Sequence, residues 1–227
     1  MSTLLYIEVS PRKERSHSIN VANAFLDAYA VANPADTIDR LDLWDIELPE
    51  FDGERINAKY SVMHGESPTG AELSAWNEVQ AMFDRFNQAD KYLFSVPMWN
   101  FNIPYKLKHY IDVITQPGMA WSFSPETGYS GLVSGKVAAV FSSAGVYHEG
   151  SGAEAFDLQK PSFQNWLGFI GLTEVHPIIV APTLDAPENV GAAVAKAKEE
   201  AVSLAKTFCD NASGSLAVAR LPVFQTR

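Results

Sequence analysis

The hydrophobic positions of this chain fall into two alternating rhythms. Short apolar runs at Leu4–Val9, Tyr92–Val96, Val137–Phe141 and Val175–Val180 are each ended within two residues by Ser or Pro, and they predict buried strands. Thr37 to Leu43 sets Ile38, Leu41 and Leu43 among charged residues and predicts a more exposed strand, second in chain order. Between these runs apolar residues recur every three or four positions. Val21, Ala24, Phe25, Ala28 and Tyr29 mark a helix with Ser16 or Ser18 as its cap. Leu73, Trp76, Val79, Met82, Phe83 and Phe86 mark a second, starting at Thr69. Further helices are predicted through Lys106–Ile114, Phe163–Leu172 and Pro187–Phe208. Trp44 to Pro68 has no period and reads as a long loop serving as a lid or an interface. Trp121 to Tyr129, around Pro125, reads as an excursion or hairpin.

Five short apolar strands alternating with five helices demand parallel pairing through right-handed crossovers, giving one doubly wound α/β sheet covered on both faces. Such sheets bind ligands beyond the carboxyl ends of their strands, where the strand order reverses. The segments after the first, third and fourth strands are therefore the places to look.

Composition narrows the class. The chain has 227 residues, 47% hydrophobic and 19% charged, enough for a core and too apolar for disorder. One domain is expected over residues 1–211, with a Gly/Ser/Ala tail at 212–227. Asp and Glu outnumber Lys and Arg by 27 to 17, a formal charge of −10, and the basic residues are scattered, which argues against a nucleic-acid partner. A single cysteine, Cys209, excludes an intramolecular disulfide and a cysteine-rich metal site and points to a reducing compartment. No metal site is expected. The first residues read as a strand rather than a leader, and no apolar run approaches the ~20 residues needed to span a bilayer. A cytoplasmic protein with no membrane partner is expected.

Three strand ends carry candidate chemistry. After strand one come Ser10 and Ser16–His17–Ser18, which fit either plain helix capping or an anion site built from hydroxyls, backbone N–H groups and the helix dipole. Neither a Gly-x-Gly-x-x-Gly turn nor a Gly-Lys-Ser/Thr phosphate loop is present, against dinucleotide-type and nucleotide triphosphatase sites. After strand three, Pro97–Met98–Trp99–Asn100–Phe101–Asn102–Ile103–Pro104 suits either the polar edge and faces of a flat heteroaromatic ring or a subunit contact. After strand four, Ser142–Ser143–Ala144–Gly145–Val146–Tyr147–His148 allows close ligand approach, or is a simple turn with Gly145 at positive φ. One planar, phosphate-bearing ligand could touch all three segments.

The segment Pro97–Pro104, followed by Leu107–Lys108, is similar to the Pro-Met-Tyr/Trp-Asn-Phe loop and following helix of the FMN-dependent NADH-azoreductases, within the flavodoxin-like quinone reductase superfamily. Gly131–Leu132–Val133–Ser134–Gly135–Lys136 and Leu167–Gly168–Phe169–Ile170–Gly171 support the resemblance, which covers most of the chain. It implies a flavodoxin-like three-layer fold, a five-stranded parallel sheet in the order 2-1-3-4-5 with helices on both faces. It implies an FMN phosphate held by Ser10, Ser16, Ser18 and the His17 backbone, with Met98, Trp99, Asn100 and Phe101 lining the isoalloxazine. Ser143, Ala144 and Gly145 would meet its pyrimidine end, with Ser143, the Gly145 N–H and His148 as donors. Here the sequence departs from the family's Ser-Arg-Gly-Gly turn: Ala144 stands for the Arg and Val146 for the second Gly.

The implied activity is two-electron reduction of quinones and azo compounds by NADH, with NADPH as the alternative donor, through ping-pong chemistry at flavin N5 and without a catalytic side chain. His109 and His176 are read as satisfied structural histidines. Trp121, Phe123 and Trp166 would border the acceptor pocket, core packing being the alternative for each. A homodimer with its flavin sites at the interface is implied. Competing readings are a flavodoxin-type electron carrier with no small-molecule substrate and a flavin-free binding module on the same fold.

Overall fold

The computed structural model of the protein describes residues 1–209. Among these residues the chain runs through β1 (Thr3–Glu8), α1 (His17–Ala32), β2 (Thr37–Asp42), α2 (Gly53–Met63), α3 (Gly70–Asn87), β3 (Lys91–Pro97), α4 (Tyr105–Ile114), β4 (Trp121–Ser124), β5 (Gly128–Gly131), β6 (Lys136–Ser142), α5 (Gln159–Ile170), β7 (Glu174–Val180) and α6 (Pro187–Thr207). The expected domain end at 211 and the tail at 212–227 lie outside the described residues.

Five strands form one parallel sheet in the order β2-β1-β3-β6-β7. Because β4 and β5 pair with each other as a separate hairpin, this is the expected 2-1-3-4-5 order of a flavodoxin-like sheet. Strand β1 shows why both faces are covered. Its alternate residues Leu5 and Ile7 enter a core shared with Phe83 and Phe86 of α3, Leu107 of α4 and Phe163 of α5. Leu4 and Tyr6 enter the other core, with Phe25 and Tyr29 of α1 and Ala201 and Ala205 of α6. A period of two with both phases apolar reads as a continuous hydrophobic run, the mark of a parallel strand.

The sheet has a polar anchor on the edge remote from its carboxyl ends. Lys91 is buried, with its ammonium 3.1 Å from Asp36 and 3.0 Å from the Tyr29 hydroxyl. Tyr29 in turn donates to Asp36 at 2.7 Å, and the Ser2 N–H donates to the same carboxylate at 2.8 Å. Burial raises the Asp36 pKa, but these hydrogen bonds and the Lys91 charge outweigh it and bring it down to about 2.

One expectation fails. The aperiodic stretch Trp44–Pro68 contains a helix, α2, giving six α-helices where five were expected. Asp52 caps it by accepting from the Arg55 N–H at 3.2 Å. Only Ala58 of this helix is buried, so its sequence carries no apolar stripe facing the core, the signal by which a helix is recognised. Its apolar residues Ile56, Tyr60 and Met63 lie instead on an exposed face at i, i+4 and i+7. The Trp121–Tyr129 excursion is the β4–β5 hairpin, with Phe123 opposite Tyr129.

Candidate functional site

The β1–α1 loop ends at Ser16, whose backbone carbonyl accepts from Asn20 N–H as an N-cap should. Its hydroxyl makes no cap bond; it lies 3.1 Å from the Ser18 hydroxyl. Among the described residues the N–H groups of His17, Ser18 and Ile19 meet no protein acceptor. Ser10, Ser16 and Ser18 are all buried, and the Ser10 hydroxyl accepts from Arg12 N–H at 3.3 Å. Plain capping does not describe this arrangement. Unbonded N–H groups at the positive end of α1, flanked by inward hydroxyls, fit a phosphate. Lys13, at φ 50, is turned to Glu8, Asp42 and Asp45, so the nearby ammonium is engaged by carboxylates.

The β3–α4 loop is a tight reversal. Trp99 N–H donates to Asn102 O at 2.8 Å and Asn102 N–H donates back to Trp99 O at 2.9 Å. Asn100 and Phe101 between them have φ of 47° and 69°, the pairing of a type I′ turn. Asn tolerates this region; Phe pays about 1–2 kcal/mol for it. Strain held at a tip is a sign of a functional demand on the backbone. The Asn100 amide has no partner among the described residues, and Phe101, 46% exposed, packs on Phe156 with ring centres 5.5 Å apart. Met98 N–H donates to Ser142 O at 2.7 Å, tying this loop to the end of β6.

The β6–α5 loop is pinned to the segment after β7: Thr183 N–H donates to Ser143 O at 3.0 Å and Leu184 N–H to Ala144 O at 3.3 Å. The Ser143 hydroxyl donates to Gly145 O at 2.8 Å, so it is occupied locally rather than pointed at a ligand. Gly145 is not at positive φ. The N–H groups of Ala144, Gly145 and Val146 have no protein acceptor among the described residues. His148 is exposed and donates through Nδ1 to Glu149 O at 2.8 Å. Two of these neighbouring strand ends thus present free backbone donors and the third, after β3, an unbonded Asn100 amide, a donor set that fits the phosphate and polar ring edge of FMN.

Beside the β3–α4 loop lies a cavity of about 1030 Å³. Trp99, Asn100, Asn102 and Ile103 form one side, α4 contributes His109 and Asp112 with Thr115 just after it, and the hairpin and α5 contribute Trp121, Tyr129 and Phe169. Trp121 and Tyr129 pack on Phe169 with ring centres 5.6 and 5.8 Å away. Phe123 stands at the hairpin's exposed face against Tyr129. Trp166 does not reach the cavity. It is 9% exposed, wedged among Phe86, Phe94 and Phe163, and its indole N–H donates to the Thr115 hydroxyl at 2.9 Å, from behind the cavity wall. His109 Nε2 donates to Pro49 O at 2.8 Å, and His176 pairs with Glu174 at 3.1 Å. His109 is therefore satisfied and also lines the cavity.

Residues outside the expected set complete the site. Trp44, after β2, donates its indole N–H to Val9 O at 2.7 Å and packs with Trp99 and Tyr105. The Ser-Pro, Asn-rich and Gly signals drew attention to other strand ends, whereas an aromatic after an edge strand gave no such signal. Phe51 and Lys59 enter the cavity from the α2 region that lacked a period. Among the described residues no group of His, Cys, Asp and Glu is placed to hold a metal, and no helix is long and apolar enough to cross a membrane.

The family described by a flavodoxin-like fold matches residues 2–204. The chain is 50% identical over 206 residues to the FMN-dependent NADH:quinone oxidoreductase of Desulfotalea psychrophila, covering 91% of this chain and 97% of that one. It is 42% identical over 210 residues to that of Nitratidesulfovibrio vulgaris, covering 92% and 100%. An azoreductase structure from Bacillus anthracis superposes with a TM-score of 0.84 at 30% identity, over 92% of this chain and 100% of that one. An FMN-dependent NADH-azoreductase from the same species, solved in complex with FMN, gives 0.78 at 25% identity, over 90% and 100%. The chain belongs to the flavodoxin-like family that contains these FMN-dependent NADH:quinone oxidoreductases.

Proposed function

We propose that the chain is an FMN-dependent NADH:quinone oxidoreductase that also reduces azo compounds. The observation that carries this reading is the set of unbonded donors at three adjacent strand ends, next to an aromatic-walled cavity. Bound FMN supplies the two-electron exchange between nicotinamide and acceptor. The protein binds, orients and shields. Ser10, Ser16, Ser18 and the N–H groups of residues 17–19 receive the phosphate. Met98, Trp99, Asn100 and Phe101 line the ring, and the Asn100 amide and the N–H groups of 144–146 lie along its polar edge, where donors stabilise negative charge. Ala144 and Val146 leave those backbone donors intact, so recognition of the edge needs no arginine there. Trp121 and Tyr129 offer flat apolar surface to an aromatic acceptor.

The working unit in this reading is a homodimer in the cytoplasm, with the flavin site at the subunit contact. The exposed stripe Ile56, Tyr60 and Met63 on α2 and the exposed Phe123 and Tyr129 of the hairpin support it, since a two-fold contact would bury both. A single-electron carrier has no use for the cavity. Steady-state kinetics with NADH and menadione test the reading: donor and acceptor sharing one face give parallel reciprocal plots, and intersecting plots would contradict a shared face.

A further inference from the structure

Lys59 lies in the cavity, its ammonium 5.9 Å from the centre of the Phe51 ring. Among the described residues no carboxylate is within ion-pair distance of it. Asp112, the acid that acts on it electrostatically, gives its two oxygens to Lys108 at 2.6 and 2.7 Å. His109, which also lines the cavity, is committed through Nε2 to Pro49 O. Burial holds the Lys59 ammonium below the usual lysine range, with Asp112 only partly opposing. Lys108 and Asp112 cancel, so the cavity carries one uncompensated positive charge in a chain whose formal charge is −10. A protein this acidic repels anions at long range, and a partly desolvated cation set in aromatic walls reverses the sign locally.

We propose that Lys59 is the anion-recognising group of this cavity and receives the carboxylate, sulfonate or phosphate of an aromatic ligand stacked between Trp99 and the Trp121–Tyr129 wall. The inference rests on the cavity being the acceptor site of the proposed oxidoreductase. Two sources share the chemistry: an acceptor bearing a carboxylate or sulfonate, and the dinucleotide with its phosphates.

The experiment compares FMN-loaded wild type, Lys59→Met and Lys59→Arg. For an acceptor source, kcat/KM for 1,4-naphthoquinone-2-sulfonate relative to 1,4-naphthoquinone falls about tenfold or more in Lys59→Met and recovers in Lys59→Arg. For the dinucleotide, the acceptor ratio holds and the NADH concentration needed for half-maximal flavin bleaching rises by a similar factor. Both results support an anion site and distinguish its ligand. Equal losses for charged and neutral acceptors, or no charge-dependent change in either arm, would overturn it. Binding of naphthalene-2-sulfonate, read by tryptophan fluorescence, is independent of turnover. If the loaded enzyme never oxidises NADH, the functional reading fails, while Lys59-dependent binding still supports the anion site and Lys59-independent binding rejects it.

Discussion

Gly131 and Gly171 meet backbone to backbone: a Cβ on Gly131 would lie 2.2 Å from the Gly171 nitrogen. Gly171, at φ 109°, ends α5, and its own Cβ would lie 2.5 Å from Val133 O. Val133 N–H donates to Ile170 O at 2.9 Å beside this contact. The hairpin is thus docked on α5 at a separation only two glycines permit. Phe169, two residues earlier, is the surface on which Trp121 and Tyr129 rest.

Gly131→Ala should therefore destabilise the fold by about 1–3 kcal/mol, the usual cost of overpacking, and raise KM for quinone more than it alters flavin bleaching by NADH. Gly168→Ala is the contrast. Nothing lies within 4 Å of a Cβ at that helical position, so the variant should be more stable by about 0.5–1 kcal/mol. Urea melts of both variants check the pair; equal effects would refute the close docking.

The hydroxyls of Ser16 and Ser18 bond each other instead of capping α1. Removing both partners of a buried hydrogen bond is close to neutral, whereas losing two donors to a phosphate costs about 1.5–3 kcal/mol each. The double variant Ser16→Ala/Ser18→Ala should melt within about 1 kcal/mol of wild type without FMN, yet bind FMN at least about a hundredfold more weakly. Fluorescence titration of FMN, alongside urea melts of the apoprotein, measures both.

Asn100 combines a left-handed backbone with an unbonded amide. Asn100→Gly keeps the turn and removes the amide; Asn100→Ala removes the amide and adds backbone strain. FMN affinity should fall about three- to tenfold for Asn100→Gly, the worth of one hydrogen bond, and further for Asn100→Ala. Unchanged affinity in both variants would remove the amide from the flavin edge.

Asp36 gives the fold a defined acid response. Its pKa is lowered from 3.8 to about 2, so its contribution to stability is complete above pH 4 and is lost as pH falls toward 2. Asp36→Asn should be less stable at neutral pH, and its stability curve should converge with that of wild type between pH 4 and pH 2. Chemical melts across that range test the sign; parallel curves would contradict it.

The sheet was legible because β1, β3 and β6 are apolar on both faces and so appear as unbroken runs. The three strand-end loops stood out by their residue types, and the unbonded donors on them are consistent with the proposed ligand site. Helix α2 was not legible, because it turns Ile56, Tyr60 and Met63 outward and buries only Ala58, so no apolar stripe faces the core. Lys59 and Phe51 were hidden with it. Trp166 was ambiguous in sequence because aromatic residues serve core and pocket alike; only the packing of Phe86, Phe94 and Phe163 around it assigns it to the core. The Ser143 hydroxyl, expected to face the ligand, turns back to Gly145 O, a choice made by loop geometry and invisible in the order of residues.

In the proposed function the chain binds FMN at three strand ends and exchanges two electrons there between NADH and a quinone. The most direct test reconstitutes the protein with FMN, removes oxygen, adds stoichiometric NADH and follows the flavin absorbance, then adds menadione. Rapid bleaching by NADH and recovery on menadione addition is the predicted result. A protein that retains no FMN, or holds it without bleaching, would contradict the account.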